Sequence, residues 1–416
     1  MNAILQNRRF LFLFLGRLVS SLGDWILDVT LPVWMYQITG SGLALGTVVI
    51  LQTLPQILLS PIAGLVADRV ERRMLVIVLN LLFALSTASL LFVNGESGVF
   101  LIYVVATVNA IIGTFLSPAQ GAIIPMIVTK EDRQNANSLL GVMGAVIMIV
   151  GPLLGGLLFA LSGPKSTVII DIVTFLVAAT SIYLMGKLPE QTLSPFTTPE
   201  SKWSRIIGGW RVIWQEPTLR TLLYTWGVMM TASGVVMAVL VIFAKDVLQG
   251  GDSGYGYIRA AQGAGMFIGG ILIQVVGKRV LPNQWFRGGM LAFGPLFILG
   301  TLAPSLPIAA LYVATMGSAM VVVAISNQTL MQNLTRNEFR GRVSATFDAI
   351  SSTAILIGAT IGGLLVTTIG ARNVMLGAAI IATVATIIPL IQPLRMPTSE
   401  TEKSAEETQV ENVPVN

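Results

Sequence analysis

Gly64-Leu65-Val66-Ala67-Asp68-Arg69-Val70-Glu71-Arg72-Arg73 is a short charged break between two apolar stretches, roughly 43–67 and 74–93. Each flank has about the 20 apolar residues an α-helix needs to cross a bilayer. Three arginines in so short a connection hold it on one side of the membrane, because Lys and Arg resist translocation. Two membrane helices joined by a tight basic loop follow, and the pattern continues in both directions. Apolar stretches bounded by charge, Gly/Pro or Asn/Ser clusters lie at roughly 10–37, 43–67, 74–93, 99–127, 138–161, 166–186, 221–244, 254–276, 285–303, 306–333, 344–369 and 373–392. The prediction is an all-α polytopic membrane protein with twelve transmembrane helices.

Composition agrees. The 416 residues are 54% hydrophobic and 11% charged, against about 25% charged in a soluble protein. There is no His and no Cys, which excludes disulfides, thiol catalysis, His-based acid–base pairs and the usual zinc, haem and iron–sulfur sites. No cofactor or metal site is expected, and no enzyme. Any proton chemistry at physiological pH falls to Asp or Glu.

The net charge of +5 is an insertion signal rather than a nucleic-acid surface. Of the 25 Lys and Arg, Arg17 lies within span one and only Lys165, Lys245, Arg259 and Arg372 fall on one side; all the others fall on the other. That places both termini in the cytoplasm, with membrane lipids as partners. The first apolar stretch runs on into a full span without a small-residue cleavage site, so it reads as a retained helix.

Four regions are predicted. Residues 1–186 form a six-helix bundle, 187–220 a cytoplasmic linker, 221–393 a second bundle and 394–416 a disordered acidic tail. In the linker, Trp203, Ile206, Ile207, Trp210, Ile213 and Trp214 recur at helical spacing with Arg opposite, which predicts an amphipathic helix in the headgroup plane. The halves repeat. Gly64 with Arg72-Arg73 recurs as Gly270 with Lys278-Arg279, Thr129-Lys130 as Thr335-Arg336, and Gly151-Pro152-Leu153-Leu154-Gly155-Gly156 as Gly358-Ala359-Thr360-Ile361-Gly362-Gly363, all at offsets of 206 or 207. Parallel repeats of this kind occur in transporters that rock about a site at the repeat interface.

The Gly64–Arg73 loop resembles the G-x-x-x-D-R-x-x-R-R loop of the major facilitator superfamily, with Glu71 where Gly is usual. Together with twelve spans and the half-repeat, the resemblance covers almost the whole chain. It implies that Gly64, Asp68, Arg69, Arg72 and Arg73 form a conformational latch against span eleven, where Asp348 is a candidate partner. In the second half Gln274 stands in place of Asp68, so the latch is read as one-sided. Gly151, Pro152, Gly155 and Gly156 resemble the G-P-x-x-G-G motif of exporters in that superfamily, although the first small position of the longer pattern is here Ile147. Asn137-Ser138-Leu139 and Arg340-Gly341-Arg342 resemble the macrolide-efflux and enterobactin-exporter-like branch.

Charges within spans carry the most information, since each costs about 2.5–3.5 kcal/mol at a helix centre. Arg17, Ser21, Asp24 and Asp28 share one face of span one. Two carboxylates one turn apart in a poorly hydrated place do not both ionise, so Asp28 first and Asp24 second are the candidate proton-coupling residues. Arg17, Ser21, Trp25, Gln52, Gln56 and Gln262 are candidate cavity residues. Trp25, Trp34, Met229, Met230 and Met237 suggest an amphipathic substrate, with packing as the alternative. Asp171 and Arg259 enter from the outer side and read as interfacial, with a functional role as the alternative for each. The expectation is a monomeric antiporter, coupled to protons or else to another cation, exporting small hydrophobic or amphipathic compounds from the cell, with a dedicated metabolite or siderophore carrier as the alternative.

Overall fold

The computed structural model describes residues 6–129, 132–188, 202–276, 280–336 and 339–387, with Ile4 and Pro389. The acidic tail, Lys130, Lys278 and Arg279 lie outside the described residues. Helices α1 to α4 are Arg8–Thr39, Gly42–Arg69, Arg72–Ser89 and Val99–Ile127. Helix α5, Arg133–Leu184, carries two spans, because Gly163 at φ 77 and ψ 177 breaks it just before Pro164. Only glycine takes that backbone readily. Helix α6 is Lys202–Gln215, and α7 to α12 are Pro217–Ile242, Gly254–Val276, Pro282–Leu302, Leu306–Leu334, Arg340–Ile369 and Ala371–Ala385. A π-turn, Phe243–Val247, extends α7.

Among the described residues, ten helices are long and apolar enough to cross a membrane, and Ala371–Ala385 is a shorter apolar one. Counting α5 twice recovers the twelve predicted spans. Their starts follow from caps in the sequence. The Asn7 side chain accepts from the Arg9 and Phe10 amides, and its Nδ2 donates to Ile127 O at 2.6 Å, tying the start of α1 to the end of α4. Glu71 accepts from Met74 N at 3.0 Å; a residue foreign to the loop pattern thus caps α3. Glu216 caps α7 ahead of Pro217.

The two bundles meet through α2 with α11 and through the first span of α5 with α8. A methyl on Gly46 would lie 3.0 Å from Ala359 O, and one on Gly156 would lie 3.0 Å from Gly256 Cα. Backbones therefore touch near the ends of these helices remote from the basic loops, here the far end. Towards the basic end the same faces open. Along α11, Ala359 is fully buried, Ile355 and Ser352 are half-buried and Asp348 is exposed; along α2, Gly46 is buried, Thr53 half-buried and Ser60 exposed. Polar bonds fasten the far end: the Tyr36 hydroxyl donates to Asp246, Gln37 Nε2 donates to Asp252 Oδ2 at 2.9 Å, and Lys245 pairs with Asp252 at 2.7 Å. Among the described residues the bundles approach most closely at the far end, and exposure of the facing surfaces rises towards the basic end.

Helix α6 differs from a free headgroup helix. Ile213 is fully buried and Gly209 is packed on the first turns of α11, while Trp210 and Trp214 face outward. The side chains of residues 202–208, Trp203, Ile206 and Ile207 among them, lie outside the described set.

Candidate functional site

Helix α1 carries the predicted stripe. Arg17, Ser21, Asp24 and Trp25 are half-buried, and Asp28 is exposed. Pro32 lies inside this helix one turn after Asp28. It lacks the amide that would bond the Asp28 carbonyl in a regular helix. No ion pair joins Arg17 to Asp24; the Ser20 hydroxyl bonds the Arg17 carbonyl at 3.4 Å.

Asp171, read from sequence as interfacial, is instead fully buried in the N-terminal bundle. The Thr87 hydroxyl of α3 donates to its Oδ2 at 3.3 Å, and Asn109 of α4 donates to Thr87 at 3.5 Å. The Thr174 hydroxyl donates to the Asp171 peptide oxygen at 2.7 Å. Gly23 of α1 leaves the room for this group, since a methyl there would come 2.1 Å from Thr174 Oγ1 and 2.5 Å from Asp171 Oδ1. Overpacking costs about 1–3 kcal/mol, so Gly23→Ala is expected to lower the melting temperature of the purified protein. An unchanged melting temperature would show that the contact yields freely.

Arg259 belongs to the other half and is half-buried on α8. Its Nε donates to the Tyr255 hydroxyl at 3.2 Å and its Nη1 to Gln262 Oε1 at 3.1 Å, with the guanidinium 5.6 Å from the Tyr255 ring centroid. Arg259 and Asp28 lie within electrostatic reach of one another across the space between the halves, as do Asp24, Asp28 and Asp171 within one half. Three carboxylates of one bundle and a cation of the other are thus neighbours.

Gly151, Pro152, Gly155 and Gly156 lie between two of the helices that carry this group, α1 and α8. Methyls on Gly151 and Gly155 would meet Trp25 Cβ at 2.5 Å and Ile26 Cα at 3.0 Å on α1, while Gly156 and the Pro152 carbonyl face Gly256 of α8. Ile147 is buried. Gln56 is exposed and Gln52 half-buried, while Gln262 is committed to Arg259. Trp34, Met229 and Met230 are core residues; packing, rather than ligand contact, explains them.

Arg72 and Arg73 of the first loop donate to carbonyls of their own half. Arg72 donates to Ala122 O at 3.2 Å, and Arg73 to Ile182 O at 3.2 Å and Tyr183 O at 2.8 Å. These carbonyls lie in the last turns of α4 and α5, where a cation complements the helix dipole. Arg69 and Asp348 are exposed. The side-chain surroundings of Gly64 and Asp68 lie outside the described residues. Sequence reasoning missed Thr87, Asn109 and the far-end group around Asp252, and misplaced Asp171.

The sequence profile of the Major Facilitator Superfamily matches residues 13–343 and 227–415. The chain belongs to this superfamily. Macrolide efflux protein A of Streptococcus pyogenes is 24% identical over 406 residues, covering 93% of this chain and 96% of that protein. The enterobactin exporter EntS of Escherichia coli is 25% identical over 373 residues, covering 85% of each. Among solved structures, a bacterial homologue of the human lysosomal transporter Spinster superposes with a TM-score of 0.74 at 15% identity, covering 92% of this chain and 96% of that one. This superfamily protein is therefore a multi-pass membrane transporter with efflux proteins among its relatives.

Proposed function

We propose that the protein is a proton-coupled antiporter that exports small hydrophobic or amphipathic compounds across the cell membrane by alternating access. The observation that carries this reading is the exposed Asp28, placed one turn from Asp24 on α1 and within electrostatic reach of Arg259 on the other half. On the positive-inside rule the basic end is cytoplasmic, so the end where the facing surfaces are more exposed opens to the cytoplasm. Substrate entering there displaces a proton from the Asp24–Asp28 pair. After the halves rock, the pair regains a proton from outside as substrate leaves, and the protonated pair resets the carrier. The basic loop around Asp68, Arg69, Arg72 and Arg73 acts as a latch on this motion, with Asp348 as partner.

The efflux relatives support export. Expression in an efflux-deficient bacterial cell, screened against chemically diverse compounds, is expected to raise tolerance to several amphipathic drugs. No shift with any compound would overturn multidrug export. A second reading, a dedicated metabolite or siderophore exporter, draws on the enterobactin exporter among the relatives; a response confined to one compound class would favour it.

A further inference from the structure

Over its described side chains, residues 209–215, helix α6 presents an outward face of defined composition. It carries Lys202, Arg205 and Arg211 and no acidic residue. Trp210 and Trp214, 42% and 48% exposed, stack with centroids 5.1 Å apart. The Arg220 guanidinium lies 5.9 Å from the Trp214 ring centroid, and Arg211 is exposed beside the pair. Among the described residues, neither Arg211 nor Arg220 has an acidic partner. One residue, Glu216, separates α6 from the membrane-spanning α7, so the indoles sit at the depth where Trp concentrates at membrane surfaces. An aromatic pair flanked by unpaired arginines at that depth matches a negatively charged headgroup above an acyl chain.

The opposite face of α6 is fixed to the transport body. A methyl on Gly209 would lie 2.3 Å from both Arg342 O and Thr346 Oγ1, so α6 rests directly on the first turns of α11. That helix forms one of the two seams between the halves. We infer that α6 is a docking surface for anionic phospholipid of the leaflet at the basic end, and that its contact with α11 transmits lipid occupancy to the splay of the two halves. The inference rests on the membrane fold alone and stands whatever the substrate or coupling ion.

Association is read by electron paramagnetic resonance with spin-labelled phosphatidylglycerol and phosphatidylcholine, using the full chain in nanodiscs. The wild type is expected to prefer phosphatidylglycerol, and each of Arg211→Gln and Arg220→Gln to lower that preference by up to about fivefold. Transmission is read as a spin–spin distance across the basic end. Because the native chain has no cysteine, Gly141→Cys with Gly341→Cys, both open positions, supplies a clean label pair. Raising phosphatidylglycerol from none to about 30% is expected to shift this distance in the parent but not with Gly209→Leu, which wedges α6 away from α11. Equal lipid preference in wild type and both variants would overturn the docking surface. An unmoved distance in the parent, or the same shift on adding soluble glycerophosphate to phosphatidylcholine nanodiscs, would overturn the lipid as the transmitting ligand.

Discussion

Proteoliposomes carrying Asp24→Asn with Asp28→Asn are expected to lose uphill, pH-driven export by on the order of 100-fold or more, the scale of removing a positioned proton-transfer group. Substrate counterflow, which needs no net proton movement, is expected to survive, because both amides keep the shape and polarity of the stripe. Asp28 is expected to matter more than Asp24. It is the exposed member, and it lies within electrostatic reach of the cation of the opposite half. The sign of the pH effect follows from the exchange. Export should accelerate as the outside becomes more acidic than the inside, and collapse when the gradient is removed. Unaltered pH-driven export by the double variant would remove these two residues from the coupling step.

Gly256→Leu is expected to have the largest conformational effect. A single added carbon at this position already lies 2.6 Å from Pro152 O and 2.7 Å from Gly156 Cα, and both obstacles are backbone. The far end cannot close around a leucine without separating α8 from α5. Overpacking of about 1–3 kcal/mol is comparable to the few kcal/mol that separate carrier states. Transport should therefore fall sharply while the protein still inserts and folds. Spin labels at Glu96→Cys and Thr368→Cys, exposed positions at the far end of the two halves, should read a longer distance in Gly256→Leu than in the parent. An equal distance with normal transport would show that the Gly156–Gly256 contact is not the seal.

The fold was legible in the sequence because a bilayer imposes a simple rule: about 20 apolar residues per crossing, with basic residues held on one side. Apart from the last, read to 392 where its helix ends at Ala385, span edges fell within about five residues of the helices, and Gly163 with Pro164 marked the connection at which two spans run together. The acidic stripe on α1 was legible for the same reason, as charge where lipid opposes it. The rest depends on contacts between helices remote in sequence. Nothing near Asp171 signals that Gly23 and Thr87 join the neighbouring Thr174 around it, and nothing near Arg259 signals that it lies within electrostatic reach of Asp28. Gln262 reads as a cavity hydrogen-bonder until its partner, Arg259, is seen. Amphipathic spacing likewise identified α6 but not which face α11 would cover, since Gly209 carries no side chain to announce the contact.

Direct measurement of protons released when substrate binds tests the coupling most closely. Purified protein in weakly buffered detergent solution with a pH indicator dye would be mixed with a compound identified by the tolerance screen. A rapid, saturable acidification in the wild type, absent in Asp24→Asn with Asp28→Asn although the compound still binds, is the result predicted. Binding without acidification in the wild type, or acidification undiminished in the double variant, would contradict it.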